Sequence, residues 1–394
     1  MSGDVNLWTA KPNWSSTVKE NLEWLTDIYR AYDGTEQRRT LRGVPRRSFE
    51  YDFSVTGADA QRVDNLLWGW QNKTYALPVW TDNTPLTAAA AIGDTTINVA
   101  TGYYSFAAGS MVVIYSAANS FELKTITSMT DTTITVDTPM EKAWGRGISV
   151  YPVILARLAT EVPMQRLTDG VLTGTVSFTS SPGITNAAIP MLAPTTSYGD
   201  LEVITQQPNW ADAIKFTSKY AFSTSDGKTG IIEWSPSEKG PNVDRDYAWL
   251  LPSRQSIYNF RGFLGRLRGQ FKTCLVPTWT DDFTLAQDVG ATDTLLKVVD
   301  TGYSSLVGAD PNRSKIMIRA NGGFLFRQIT AATLNEDGTA NITIDSPLGQ
   351  ALSIKQVKGI HFLLQSRLAA DKILIEWSTN QVVVVNTTFT SIIS

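Results

Sequence analysis

The sequence predicts a mainly β protein of two tandem units, each a sheet with one helix and an inserted small β-barrel or sandwich. Three observations lead there. The chain repeats itself over most of its length, apolar and polar residues alternate in short runs, and each half holds a Thr- and Val-rich stretch with closely spaced turns. The repeat weighs most. Leu77-Pro78-Val79-Trp80-Thr81-Asp82 returns as Val276-Pro277-Thr278-Trp279-Thr280-Asp281, and Pro12-Asn13-Trp14 as Pro208-Asn209-Trp210. Arg157-Leu158-Ala159 returns as Arg367-Leu368-Ala369, and Phe178-Thr179-Ser180 as Phe389-Thr390-Ser391. Pro45, Arg47, Tyr51 and Phe53 pair with Pro252, Arg254, Tyr258 and Phe260, which makes Tyr51, Phe53, Trp80, Tyr258, Phe260 and Trp279 the expected repeat-equivalent core. So long a period marks tandem domains, since solenoid repeats run about 20–50 residues. The division expected is residues 1–180 with a barrel at about 86–150, a Pro- and Gly-containing linker at 181–206, and residues 207–394 with a barrel at about 285–359.

In the first unit, Ser48 to Val55 alternates, with Phe49, Tyr51, Phe53 and Val55 on one face of a half-buried strand. Gly57-Ala58-Asp59 breaks that strand and opens a helix, whose stripe is Val63, Leu66, Leu67 and Trp70. Thr74 to Trp80 is a second strand, and its Pro78 belongs at an edge, bulge or strand end. Short strands follow at Ile97 to Val99, Met111 to Tyr115, Phe121 to Ile126 and Thr133 to Val136. The parent sheet resumes with Val150 to Leu158 and Val171 to Thr179. In the second unit, Ser256 to Phe260 reads as the matching strand. Phe260, Phe263, Leu264 and Leu267 form the helix stripe, which Gly262 and Gly265 weaken. Lys272 to Trp279 is the next strand, and Ile360 to Leu368 with Gln381 to Thr390 the returning ones.

Composition narrows the function classes. Charged residues are 18% and the formal net charge is −3, without the basic surplus of a general nucleic-acid binder. The lone Cys274 gives no disulfide framework and reads as a buried thiol. No run of about 18 apolar residues offers a membrane span, and Met1-Ser2-Gly3-Asp4 does not begin a signal peptide. Catalytic and cofactor signals are equally sparse. His361, the single histidine, sits in an apolar run and reads as a packed side chain. A zinc site, a phosphate-cradling glycine loop and a nucleophile elbow have no matching motif. Asp82 and Asp281 recur in both halves, but each follows Trp-Thr after a strand, the setting of an Asx turn. No catalytic residue, metal or cofactor is expected.

Two features carry more. The run Tyr32 to Arg47 holds five arginines, Arg38, Arg39, Arg42, Arg46 and Arg47, and no lysine. Arginine suits bidentate, partly desolvated carboxylate contacts, so this segment is expected at a subunit interface. Trp68, Trp70, Trp80, Trp279 and Trp377 are read as core packing before sugar stacking.

The run Tyr32 to Arg47, the strand Phe49 to Phe53, Leu77-Pro78-Val79-Trp80 and the turn Ile92-Gly93-Asp94-Thr95-Thr96-Ile97 together resemble minor tail proteins of long, flexible-tailed bacteriophages. More narrowly they resemble distal tail proteins, which form the ring that ends the tail tube. The resemblance covers most of both halves. It implies tube-type β domains in a homo-oligomeric ring, with tail-tube protein above and hub or fibre proteins below. DNA would pass the lumen without sequence-specific binding. It also implies a non-enzymatic virion protein without cofactor or membrane insertion, made in the host cytoplasm. The duplication and the inserts depart from that ring family and look more like trimeric hub proteins, whose two tube folds per chain give pseudo-sixfold symmetry. Three chains per ring is the favoured expectation and six the other. The alternative is a carbohydrate-binding virion protein using Tyr103, Tyr104 and Trp144; a polysaccharide-degrading enzyme ranks third.

Overall fold

The computed structural model describes residues 5–180, 193–236, 240–308 and 310–392. It is mainly β. In the first half, β1 (Asn6–Leu7), β2 (Val18–Arg30) and β3 (Glu36–Thr56) lead to helix α1 (Ala58–Leu67) and β4 (Tyr75–Pro78). An insert follows, with β5 (Thr84–Pro85), β6 (Thr96–Asn98), β7 (Met111–Ala117), β8 (Ser120–Met129) and β9 (Thr133–Val136). The sheet resumes with β10 (Ser149–Leu158), β11 (Met164–Thr168) and β12 (Val171–Ser180).

The second half opens with a hairpin of β13 (Ser197–Tyr198) and β14 (Leu201–Glu202). It runs β15 (Lys215–Lys219), β16 (Phe222–Asp226), β17 (Ile232–Pro236), β18 (Asn242–Leu251), α2 (Arg254–Leu267) and β19 (Cys274–Pro277). Its insert contains β20 (Leu295–Val299), a short α3 (Tyr303–Leu306), β21 (Lys315–Ala320), β22 (Gly323–Leu334) and β23 (Thr339–Ile344). It closes with β24 (Val357–Leu368), β25 (Lys372–Trp377) and β26 (Val383–Ser391).

Ladder partners give the correspondence between halves. Tyr51 on β3 faces Val176 on β12, and Tyr247 on β18 faces Thr387 on β26. Asn13 N donates to Asp52 O and Asn209 N to Ala248 O, both at 2.7 Å. Lys19 faces Glu50 as Lys215 faces Asp246. Tyr51 therefore corresponds to Tyr247 and Phe53 to Trp249, at the offset that links Pro12 to Pro208. Tyr258 and Phe260, expected in the matching strand, lie instead in α2. Ser253 caps that helix reciprocally with Ser256, and the spacing of Ile257, Phe260, Phe263, Leu264 and Leu267 gives it a fully buried stripe. Five alternating residues were too short a signal against that combination. Residues 181–192 of the expected linker lie outside the described residues, but Val203 pairs in parallel with Leu275 as Leu7 does with Ala76. The second plan thus begins before residue 207.

One apolar core runs through both halves, from Trp8, Trp24 and Phe53 to Trp249, Phe263 and Trp377. Trp80 and Trp279 are buried at corresponding places after β4 and β19. Separate clusters underlie the inserts, one built on Ile97, Val112 and Ile134, the other on Leu296, Ile316 and Ile342. Trp68, expected in the core, is 84% exposed past the end of α1. Trp70 is half-buried with its indole N–H on Ala159 O.

Candidate functional site: the joint between the halves

The two halves meet strand to strand. β2 is held by β3 on one edge and by β25 of the second half on the other, with Lys19 opposite Glu376, Leu22 opposite Ile373 and Glu23 opposite Lys372. Alternation along β2 buries Val18, Glu20, Leu22 and Trp24. Glu20 is thus a carboxylate in an apolar register, and four groups satisfy it. Arg47 Nε and Nη2 reach Oε1 at 3.0 and 2.8 Å, Arg261 Nη2 reaches it at 3.1 Å, and Trp377 Nε1 donates to Oε2 at 3.1 Å.

Arg261 comes from the middle of α2 and also touches Asp82, at 3.4 Å to each oxygen. Arg254, the first residue of α2, donates to Asp82 Oδ1 at 2.6 Å and to Thr81 O at 3.0 Å. Ser105 N, from the first insert, also donates to Asp82 at 3.2 Å. Two carboxylates from the first half and two arginines from α2 therefore form a buried chain of charges, with Arg47 at one end. The Asx turn expected for Asp82 gives way to this network. In the second half Asp282 accepts from Thr280 Oγ1 and Phe362 N, while Asp281 is exposed.

Beyond the core, the β2–β3 hairpin reaches over the second half as an arm. Asp371 accepts from Thr26 N at 2.6 Å, Thr26 Oγ1 at 2.9 Å and Gln270 N at 2.9 Å. Arg367 grips Glu36 through Nε and Nη2 at 2.8 and 2.9 Å, a bidentate pair. Arg38 donates to Thr273 Oγ1 at 2.8 Å. Of the five arginines expected at a subunit boundary, Arg38 and Arg47 serve the joint inside the chain, and Arg42 bonds Glu23 within its own hairpin. Arg39 and Arg46 are exposed. From this segment Glu36 and Arg38 reach the second half, whereas Arg42 and Arg47 bond carboxylates of the first.

The aromatics considered for sugar binding are engaged as well. Trp144 is buried with its N–H on Glu122, Tyr103 packs edge-on against Tyr258, and the Arg254 guanidinium lies 4.3 Å from the Tyr104 ring centre. Tyr103 and Tyr104 help fix the first insert to α2.

This arrangement holds parts of the chain together through buried ion pairs. The Cys274 thiol is pushed up by burial, and His361, whose Nδ1 lies 2.6 Å from Thr280 O, is driven down by burial. Among the described residues no group of His, Cys, Asp and Glu is placed to hold a metal ion, and no helix is long and apolar enough to cross a membrane.

Burial alone would raise the Asp82 carboxyl, but Arg254 and Arg261 outweigh it and hold the group well below the ordinary carboxylate range. A depressed folded-state value contributes stability above the unfolded value, about 3.9, and loses it as pH falls further. Urea midpoints should therefore hold down to about pH 4 and drop below it, and Asp82→Asn should flatten that drop. An equal acid slope in the variant would remove Asp82 as its source.

No family model and no curated protein matches this sequence.

Proposed function

We propose that the chain is a structural component of a bacteriophage tail tip, forming a ring that ends the tail tube and joins it to hub or fibre proteins. The observation that carries this reading is the edge-to-edge union of two like-ordered halves by β2 and β25, locked by the Glu20–Arg261–Asp82 network. That is how a chain builds a wall from repeated units. Two tube-type units per chain favour three chains per ring, with a pseudo-sixfold inner wall around a lumen for DNA. The sequence resemblance supplies the virion setting. The engaged state of Tyr103, Tyr104 and Trp144 favours this reading over surface sugar binding. Native mass measurement and projection images of the purified protein test it. A closed three-chain ring with a central hole, adding to isolated tail tubes, is expected; a stable monomer that ignores tail tubes would overturn it.

A further inference from the structure

We infer that the joint made inside the chain by β2 and β25 is made again between copies, by β15 of one chain and β11 of the next. The inference rests on the self-assembly part of the function proposed above and is independent of the virion setting.

β15 corresponds to β2, since Lys215–Asp246 repeats Lys19–Glu50 with Tyr247 in the place of Tyr51. β11 corresponds to β25: Met164 faces Gly174 on β12 as Ile375 faces Val385 on β26. β2 and β25 are each other's neighbours, whereas β15 pairs with β18 alone and β11 with β12 alone among the described residues. Both are exposed along their whole length. An open edge of this kind is a template for another strand.

The residues left bare are those that the first joint buries. Phe216, the counterpart of Glu20, is 66% exposed, and Met164, the counterpart of Ile375, is 43% exposed. Transferring the register of β2 and β25 sets Phe216 opposite Met164, Lys215 opposite Gln165 and Lys219 opposite Glu161. The last pair reverses the charges of Glu23 and Lys372 but keeps them complementary. The hairpin of β16 and β17 corresponds to the arm that grips the second half, and it carries exposed Phe222, Ile232 and Trp234. On the receiving side, Leu167 of β11 and Trp68 just past α1 are exposed. A cleft of about 910 Å³ runs beside β15, lined by Ile214, Phe216, Val243 and Leu363 among others.

Backbone polarity agrees. Asn209 N bonds Ala248 O, so residues 244, 246 and 248 turn toward β15 and their partners Thr217 and Lys215 turn toward β18. The N–H groups of Phe216 and Ser218 then point to the open edge. Just before β11, Pro163 accepts at its carbonyl from Thr175 N of β12, so its missing N–H is no obstacle to pairing. The contact joins unlike faces head to tail, the kind of interface that closes into a ring.

The test is a cysteine pair, Lys215→Cys with Gln165→Cys, at a position directly opposed in the transferred register. Cys274 is buried and does not compete. Mild oxidation should give reductant-sensitive covalent multimers ending at the ring, while Lys215→Cys with Arg166→Cys, one residue out of register, should cross-link at least tenfold less. Ser218→Pro removes an outward N–H and spares the ladder to β18; it should cut the assembled fraction at least tenfold with unchanged circular dichroism. Assembled particles without the in-register cross-link, normal assembly of Ser218→Pro, or a chain that stays monomeric overturns the joint. A linear cross-linked ladder keeps the joint and sinks the ring; a ring without the cross-link keeps the ring and sinks the joint.

Discussion

Replacing Glu20 by Ala should cost about 3–5 kcal/mol, because removing one partner of a buried ion pair leaves its charges uncompensated. The carboxylate is fully buried and shared by Arg47 and Arg261, so both guanidinium groups lose a partner at once. Arg261 keeps Asp82 at 3.4 Å, but loses its closer carboxylate. Against a total stability of roughly 5–15 kcal/mol, such a change is large. Chemical denaturation should show it as a lower midpoint. Because Glu20 belongs to the first half and Arg261 to the second, protease cleavage between residues 180 and 206 should also rise. A midpoint within about 1 kcal/mol of the parent would mean that the network is replaceable by water or by rearrangement. The counterpart positions in the second half hold Phe216 and Val243, so the plan itself tolerates apolar residues there.

Trp249→Ala should lose a similar amount, about 3–5 kcal/mol, the usual range for truncating a buried large aromatic. Its ring is fully buried, packs 5.5 Å from Phe260 of α2, and donates from Nε1 to Thr387 Oγ1 at 2.7 Å. Trp249→Phe is the sharper comparison, since it installs the residue that Phe53 supplies in the first half. That variant should lose only about 1–2 kcal/mol, the hydrogen bond and part of the packing. Equal losses for Ala and Phe would argue against the ladder-based correspondence of Phe53 with Trp249.

The parts of the fold that were legible are those with clean periodicity. Phe49, Tyr51 and Phe53 alternate without interruption and fill one face of β3. The clusters under the inserts follow the Thr- and Val-rich stretches of the sequence. β2 was not legible, because its inward register carries Glu20 where a strand pattern expects an apolar residue. The polar residue that spoils the pattern is the one that makes the joint. In the second half, Ser256 to Phe260 alternates for too few residues to prevail over a well-capped helix. The joint draws on residues 20, 47, 82, 254, 261 and 377, which no local pattern brings together. One signal was available: Arg254 and Arg261 are seven residues apart, two turns on one face of α2. The repeated Asp82 and Asp281 show the limit of motif matching. Their local sequences agree, yet one is buried among arginines and the other is exposed, since their surroundings come from distant segments.

The inserts leave and rejoin the chain on adjacent antiparallel strands, β4 beside β10 and β19 beside β24. Entry and exit therefore lie side by side, and the closure entropy of whatever spans them grows only slowly with its length. Each insert also rests on its own apolar cluster. The first is tethered to α2 through Tyr103 and Tyr104 and to Asp82 through Ser105, so exchanging it would disturb the joint. The second has no such tie to the opposite half among the contacts described. It is a modular socket, where a foreign domain with neighbouring termini could be spliced between β19 and β24.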